Sequence, residues 1–433
     1  MTSPLHRTAT GGRSRPPQRS FGPSRPPHRL LSARPFACLV AALALAACGG
    51  GGGGGGTTAT APAVATPAPA PTPTPVATPT PTAAQPGSLP VAGDFAAIAS
   101  NFDVASELVP AWGTGEIPSS GKPDVVGAFR FICTASHELR DDPVVYPGQP
   151  GKSHLHEFFG NTLANAHSTY QSLRTTGAST CNSPLNRSAY WMPAMLNGKG
   201  GVVRPNYVSV YYKRRPESDP ECQRMGKACV DLPRGLRFVF GYDMINGTPK
   251  TGAGYYNCDG PTGTQGHYVD IVEAAKHCPV GNQLGAVINA PNCWDGKNLD
   301  SADHRSHIAY TSYGDWGYEK CPASHPYVIP GFTMGVWYTV DADLDTSGTW
   351  DQSRPTWHLS SDEMPGMPVM RPGTSFHADW FGAWDDSIMK MWMDNCINKL
   401  LNCSGGDLGN GKQMKMFAGF SWTADPHVVP EPK

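Results

Sequence analysis

No aspartate or glutamate occurs before Asp94, so the first part of the chain carries seven arginines (Arg7, Arg13, Arg15, Arg19, Arg25, Arg29 and Arg34) with no opposing charge. The longest apolar run there, Phe36 to Ala46, is too short to cross a bilayer as a helix, and no later run is longer. No Cys-x-x-Cys pair occurs, which argues against a cysteine zinc site. No Gly-x-Ser-x-Gly elbow occurs either, which argues against a serine nucleophile on that pattern. Beyond residue 93 there is no second Pro/Gly/Ser linker and no internal repeat.

What is present at the N-terminus is an export signal. A basic lead, a short apolar stretch and small residues before a cut are the parts of a secretory peptide. Its ending, Leu45-Ala46-Ala47-Cys48, resembles the lipobox of bacterial lipoproteins. That resemblance implies a mature chain starting at a lipidated Cys48; the absence of Asp after it implies the outer membrane or cell surface. Gly49 to Gly56 is uninterrupted glycine, and Thr57 to Pro90 is an Ala/Thr/Pro stretch that favours extended polyproline II and buries no core. The expected organisation is therefore a signal over 1–47, a disordered tether over 48–93 and a single folded domain over 94–433.

The chain has 34 basic and 35 acidic residues; without the seven signal arginines the remainder is at about −8. A net acidic domain is a poor partner for nucleic acid or an anionic membrane face, so membrane contact is expected through lipid alone. Ten cysteines follow Cys48, an even number in an exported chain. Neighbour pairing would give Cys133–Cys181, Cys222–Cys229, Cys258–Cys278, Cys293–Cys321 and Cys396–Cys403, although spacing alone does not fix connectivity. Val125–Thr134, Tyr207–Lys213, Leu236–Tyr242 and Thr333–Val340 read as strands, and Trp384–Leu401 as a helix. The fold expected is mainly β: a β-sandwich or jelly-roll-like core with long disulfide-pinned loops and a short C-terminal helix.

Chemistry-bearing residues gather in four stretches. Asp142-Pro143-Val144-Val145-Tyr146-Pro147-Gly148 leads to Ser153-His154-Leu155-His156-Glu157, where two histidines two apart share a face if extended. Either could move a proton or bind metal. Tyr190-Trp191-Met192-Pro193, followed by Tyr211, offers aromatic rings of the kind that stack on sugars. Trp294-Asp295 precedes Asp303-His304-Arg305-Ser306-His307, whose Arg305 has the fork that grips a carboxylate. His377-Ala378-Asp379 sets a carboxylate beside an imidazole. The candidate catalytic residues are thus His154, His156, His377 and Asp379, with Trp191, Tyr211, Trp294, Asp295, His304, Arg305 and His307 as substrate contacts. Asp341, Asp343 and Asp345 are spaced as in a calcium loop, but Thr346 and Gln352 depart from the EF-hand pattern; calcium is the candidate cofactor.

Taken together, DPVVYPG, SHLHEFFGN, YWMPA, NCWDG with DHRSH, and HADWFGAWD resemble a secreted domain-of-unknown-function family, number nineteen ninety-six, of bacterial exported and fungal extracellular proteins. Gly373-Thr374-Ser375 and Gly382-Ala383-Trp384 stand where the fungal form carries a Gly-rich approach and Asn-Gly-Trp. The family implies an extracellular setting and an association with cell-wall glycans, but supplies no reaction. The residues themselves suggest a polysaccharide lyase or hydrolase working by His/Asp acid–base chemistry. The alternatives are a non-catalytic glycan-binding surface lipoprotein, or a metal-binding surface protein using His154, His156 and His377.

Overall fold

Period-two burial organises the core. Along Tyr207–Arg214, residues Val208, Val210, Tyr212 and Arg214 are buried while their neighbours are not; along Gly331–Thr339, Phe332, Met334, Val336 and Tyr338 point inward. A computed structural model describes residues 95–111, 125–247, 254–313 and 319–433, all within one compact unit, Ala77–Lys433. Signal, lipobox and the whole tether lie outside the described residues. The protein is mainly β.

Two sheets carry the core. In the six-stranded sheet the order is Gly254–Asp259, Gln283–Asn289, Gly331–Thr339, Tyr207–Arg214, Gly127–Cys133 and Asn402–Cys403; only the last pair is parallel. The five-stranded sheet runs Arg237–Gly241, His377–Phe381, Ala189–Pro193, His156–Gly160 and Ala135–Leu139, antiparallel throughout. Their inner faces meet as a sandwich. The Tyr190 and Tyr212 hydroxyls lie 2.8 Å apart across the interface, and Phe332 packs edge-on against Tyr190 and Trp380 at 6.1 and 5.4 Å.

The two sheets differ on their other faces. Three strands of the five-stranded sheet, His156–Gly160, Ala189–Pro193 and His377–Phe381, are buried at every position. An antiparallel sheet normally leaves one face to water, so this one needs a cover. A second apolar cluster supplies it: Phe158, Ala189, Trp191, Val239 and Phe381 on the sheet, beneath Val144, Ala164, Tyr170 and Leu173 from the loops. The candidate site lies on this covered outer face.

The four expected strands are present within one or two residues of their anticipated ends, and all five neighbour disulfides form. Five disulfides in one chain mark an exported protein. The expected helix Trp384–Leu401 is shorter. The α-helix covers Asp386–Trp392, capped by Asp385, and continues as a π-helical turn over Met393–Ile397. Leu400 is left-handed (φ 57°) and Cys396 is bonded to Cys403, so the chain reverses to join the six-stranded sheet as its parallel edge.

Candidate functional site: a histidine and carboxylate cluster

Strand register brings the site together. Ala189–Pro193 lies between the two strands that carry the histidines, with His156 opposite Pro193 and Asp379 opposite Trp191. His377 pairs with Gly241 on its other side. Because residues two apart share a face, His156, His377 and Asp379 all point to the covered outer side. His154, in the bend before its strand, folds over them. The His154 ring centre lies 4.2 Å from that of His156 and 5.1 Å from that of His377. Gly241 is left-handed at φ 95°, and a Cβ there would sit 2.8 Å from the His377 Cα, so the strand edge closes tightly against the site.

Two overlapping groups result. His154, His156 and His377 each offer a ligand atom within 4.8 Å of the others, and so do Asp142, His156 and Asp379. Among the described residues these are the groups of three or more that could hold a metal ion.

The hydrogen bonds fix which nitrogen is free. His156 donates from Nδ1 to the Asp141 carbonyl at 2.9 Å, and His377 from Nδ1 to the Ser375 carbonyl at 2.8 Å. Each ring is thus set as the tautomer with its lone pair on Nε2, the arrangement that metal-bound imidazoles adopt. Both residues that supply those carbonyls are themselves held through their other polar groups. Asp141 accepts from the Gly151 and Ala166 amides, and Asp362 accepts from the Ser375 amide and hydroxyl. Against this, His154 Nε2, His156 Nε2 and both Asp379 oxygens are buried with no hydrogen-bond partner. Four buried polar atoms without partners in one pocket are costly unless a ligand such as a cation meets them.

Burial tunes the same groups. It holds the His154 imidazole well below its ordinary value, lowers His156, and brings His377 down to about 3, with the neighbouring rings adding to the effect on His154 and His377. Burial therefore favours the neutral form of all three rings, in which a free ring nitrogen can accept a proton or meet a cation. The Asp379 carboxyl is pushed well above the carboxylate range by burial and by the nearby Asp142 charge, with Arg305 opposing. It is the group here able to hold a proton.

The cluster opens into a cleft of about 240 Å³ lined by Asp142, Tyr146, Lys152, His154, Asp243, Met244, Asp303, His304, Arg305, Met364, Met367, His377 and Asp379 among others. His304 lines the cleft but is held by Asp300, Nδ1 to Oδ1 2.9 Å, and stays outside the ligand groups. Arg305 spends guanidinium N–H groups on the Gly241 and Tyr242 carbonyls, so it braces the wall and supplies positive charge beside Asp379 instead of forming a free fork.

The remaining candidates lie outside the lining of this cleft. Trp191 is fully buried, stacked on Phe158 at 5.4 Å, and forms part of the site's floor rather than a sugar platform. Trp294 is also fully buried and donates to the Asn298 carbonyl. Asp295 caps the turn at Lys297 and Asn298, and His307 is wedged between Ser301 and the Arg237 carbonyl. Tyr211 lies on the six-stranded sheet, bonded to Asn402. The calcium candidates do not converge. Asp341 faces His427 and Trp357, Asp343 faces Lys199 and Asn197, and Asp345 faces Arg354, each engaged by its own donors. Asp142, Lys152, Met244, Met364 and Met367 were missed. Only Asp142 had a signal, as the first residue of DPVVYPG.

Residues 142–384 match the family model described as Domain of unknown function (DUF1996). The chain belongs to that family. The matched segment runs from Asp142 to Trp384 and so encloses every member of the histidine and carboxylate cluster. No curated protein and no solved structure matches the chain.

Proposed function

We propose that this DUF1996 domain is an exported metal-dependent enzyme acting on extracellular or cell-envelope polysaccharide, as a hydrolase or lyase. The metal is a transition-metal ion held by His154, His156 and His377, with Asp379 as the adjacent acid–base group. One observation carries the reading: neutral imidazoles and a carboxyl group, buried and short of donors, converge at the end of a cleft. Three protein nitrogens leave a coordination position open, which distinguishes a catalytic from a structural site. A metal there would act as a Lewis acid and lower the pKa of a bound water. Asp379 would take up or return the proton, since its raised pKa suits it to that task. Lys152 and Tyr146 at the cleft would contact the substrate. A lipid on Cys48 would hold the domain at the outer membrane or cell surface through the proline-rich tether.

The test begins with metal content. Stripped protein is reloaded with zinc, cobalt, manganese or copper, and bound metal is measured by mass spectrometry, with His156→Ala alongside. Uronate-containing and neutral polysaccharides are then screened for new reducing ends and unsaturated products. One metal per chain, lost in His156→Ala, with cleavage lost in Asp379→Asn, supports the reading. Absence of bound metal refutes it, and bound metal without cleavage of any polymer leaves a metal-binding surface protein.

A further inference from the structure

Three methionines, Met244, Met364 and Met367, line the cleft, and none of them is fully buried. Two come from one loop, Met364-Pro365-Gly366-Met367-Pro368-Val369-Met370, a Met-x-x-Met-x-x-Met run. Met367 is 42 % exposed, unusual for a large apolar side chain. The loop is built, not loose. At its base the buried Asp362 accepts from the Leu359, Gly373 and Ser375 amides, and the Met370 amide returns to the Asp362 carbonyl at 2.9 Å. Met367 N–H closes a turn onto the Met364 carbonyl at 3.1 Å. From that base the chain runs through Ser375, whose carbonyl orients His377. The same clamp therefore sets both the sulfur-bearing loop and one imidazole.

Resting on the metal-centre reading above, we infer that the site also takes copper, and that Met244, Met364 and Met367 form a thioether mouth that captures Cu(I) beside the three histidines. Thioether sulfur is a soft ligand that selects Cu(I), whereas imidazole serves copper and zinc alike. A site meant for zinc or manganese alone gains nothing from sulfur at its entrance. All ten cysteines of the described domain are in disulfides, so methionine is the only source of free sulfur ligands there. The long, unbranched methionine side chain can turn toward an entering ion without backbone movement.

The rival account is that these methionines make an apolar lip for substrate. Leucine keeps the apolar area and removes the sulfur, so it separates the two. Full-length mature protein and the Met244→Leu/Met364→Leu/Met367→Leu variant are titrated with Cu(I) against bicinchoninate under anaerobic conditions, and with Zn(II) against a chromophoric chelator. The variant should lose Cu(I) affinity by about tenfold to a hundredfold, the scale of losing a supporting shell, and keep its Zn(II) affinity. Copper X-ray absorption of the wild type should show a sulfur neighbour that the variant lacks. Equal Cu(I) affinity in the two proteins, or a copper edge with only nitrogen and oxygen neighbours, overturns the inference. Zn(II) binding alongside equal Cu(I) affinity in the two proteins would leave the metal centre standing while the copper assignment falls. If neither ion binds, both fall.

Discussion

Asp379→Asn separates what the histidines and the carboxylate each ask of a metal. Burial lowers His154 and His156 and brings His377 to about 3, so these rings need release little or no proton on binding near neutral pH. Three ordinary imidazoles titrating near 6.5 would each lose about tenfold in metal affinity between pH 7.5 and 5.5, about 1,000-fold together. Here the linked proton belongs to Asp379, whose carboxyl is held well above its ordinary 3.8. A cation beside it favours the ionised form and expels the proton. Wild-type affinity should therefore rise by at most about tenfold per pH unit, or about 1.4 kcal/mol, with up to one proton released. The Asn variant should bind with almost no slope. Calorimetry at pH 5.5, 6.5 and 7.5, in buffers of different ionisation enthalpy, counts those protons. Two or three protons per metal would refute the reasoning, because the histidines would then be solvated. Without metal the sign reverses. A carboxyl whose folded pKa is raised loses stabilising influence as pH climbs from its unfolded value through the folded one. Metal-free Asp379→Asn should thus be at least as stable as wild type at pH 7, with the difference vanishing near pH 4, as read by urea unfolding.

Three further outcomes are expected. Thiol titration under denaturing conditions without reductant should find none of the ten domain cysteines free, and Cys133→Ser/Cys181→Ser, which opens a 48-residue span, should cost about 4 kcal/mol in denaturant unfolding. Asp385→Ala removes the cap of the Asp386–Trp392 helix and the carboxylate facing the buried Arg174 at 3.3 Å; unfolding should register a loss of about 3–5 kcal/mol, and less for Asp385→Asn, which keeps the cap. Mass spectrometry of the mature N-terminus should find lipid on Cys48; an unmodified terminus beyond it would remove the anchor.

The sequence by itself determined the local features and left the disulfide connectivity open. Alternating residues set the strands at Tyr207–Arg214 and Gly331–Thr339, because a period of two admits only one buried face. Even cysteine count and short separations made neighbour disulfides the natural pairing. His154 and His156 were legible as a pair because two residues apart on an extended chain means one side, and His377 with Asp379 by the same rule. Tertiary structure decided what those pairs meet and what they do. The strand Ala189–Pro193 inserts between them, so residues more than two hundred positions apart become one cluster, and no local pattern encodes that insertion. Burial then reversed several assignments. Trp191 and Trp294 carry the residue type of a sugar platform, yet both are inside, since one-dimensional sequence does not distinguish an aromatic that packs from one that binds. The acidic run Asp341, Asp343 and Asp345 has ligand spacing, but each carboxylate meets a different cation or donor from a distant segment. The histidines come together across strands, and burial favours their neutral form, which leaves the Nε2 lone pairs of His156 and His377 available to a proton or a cation.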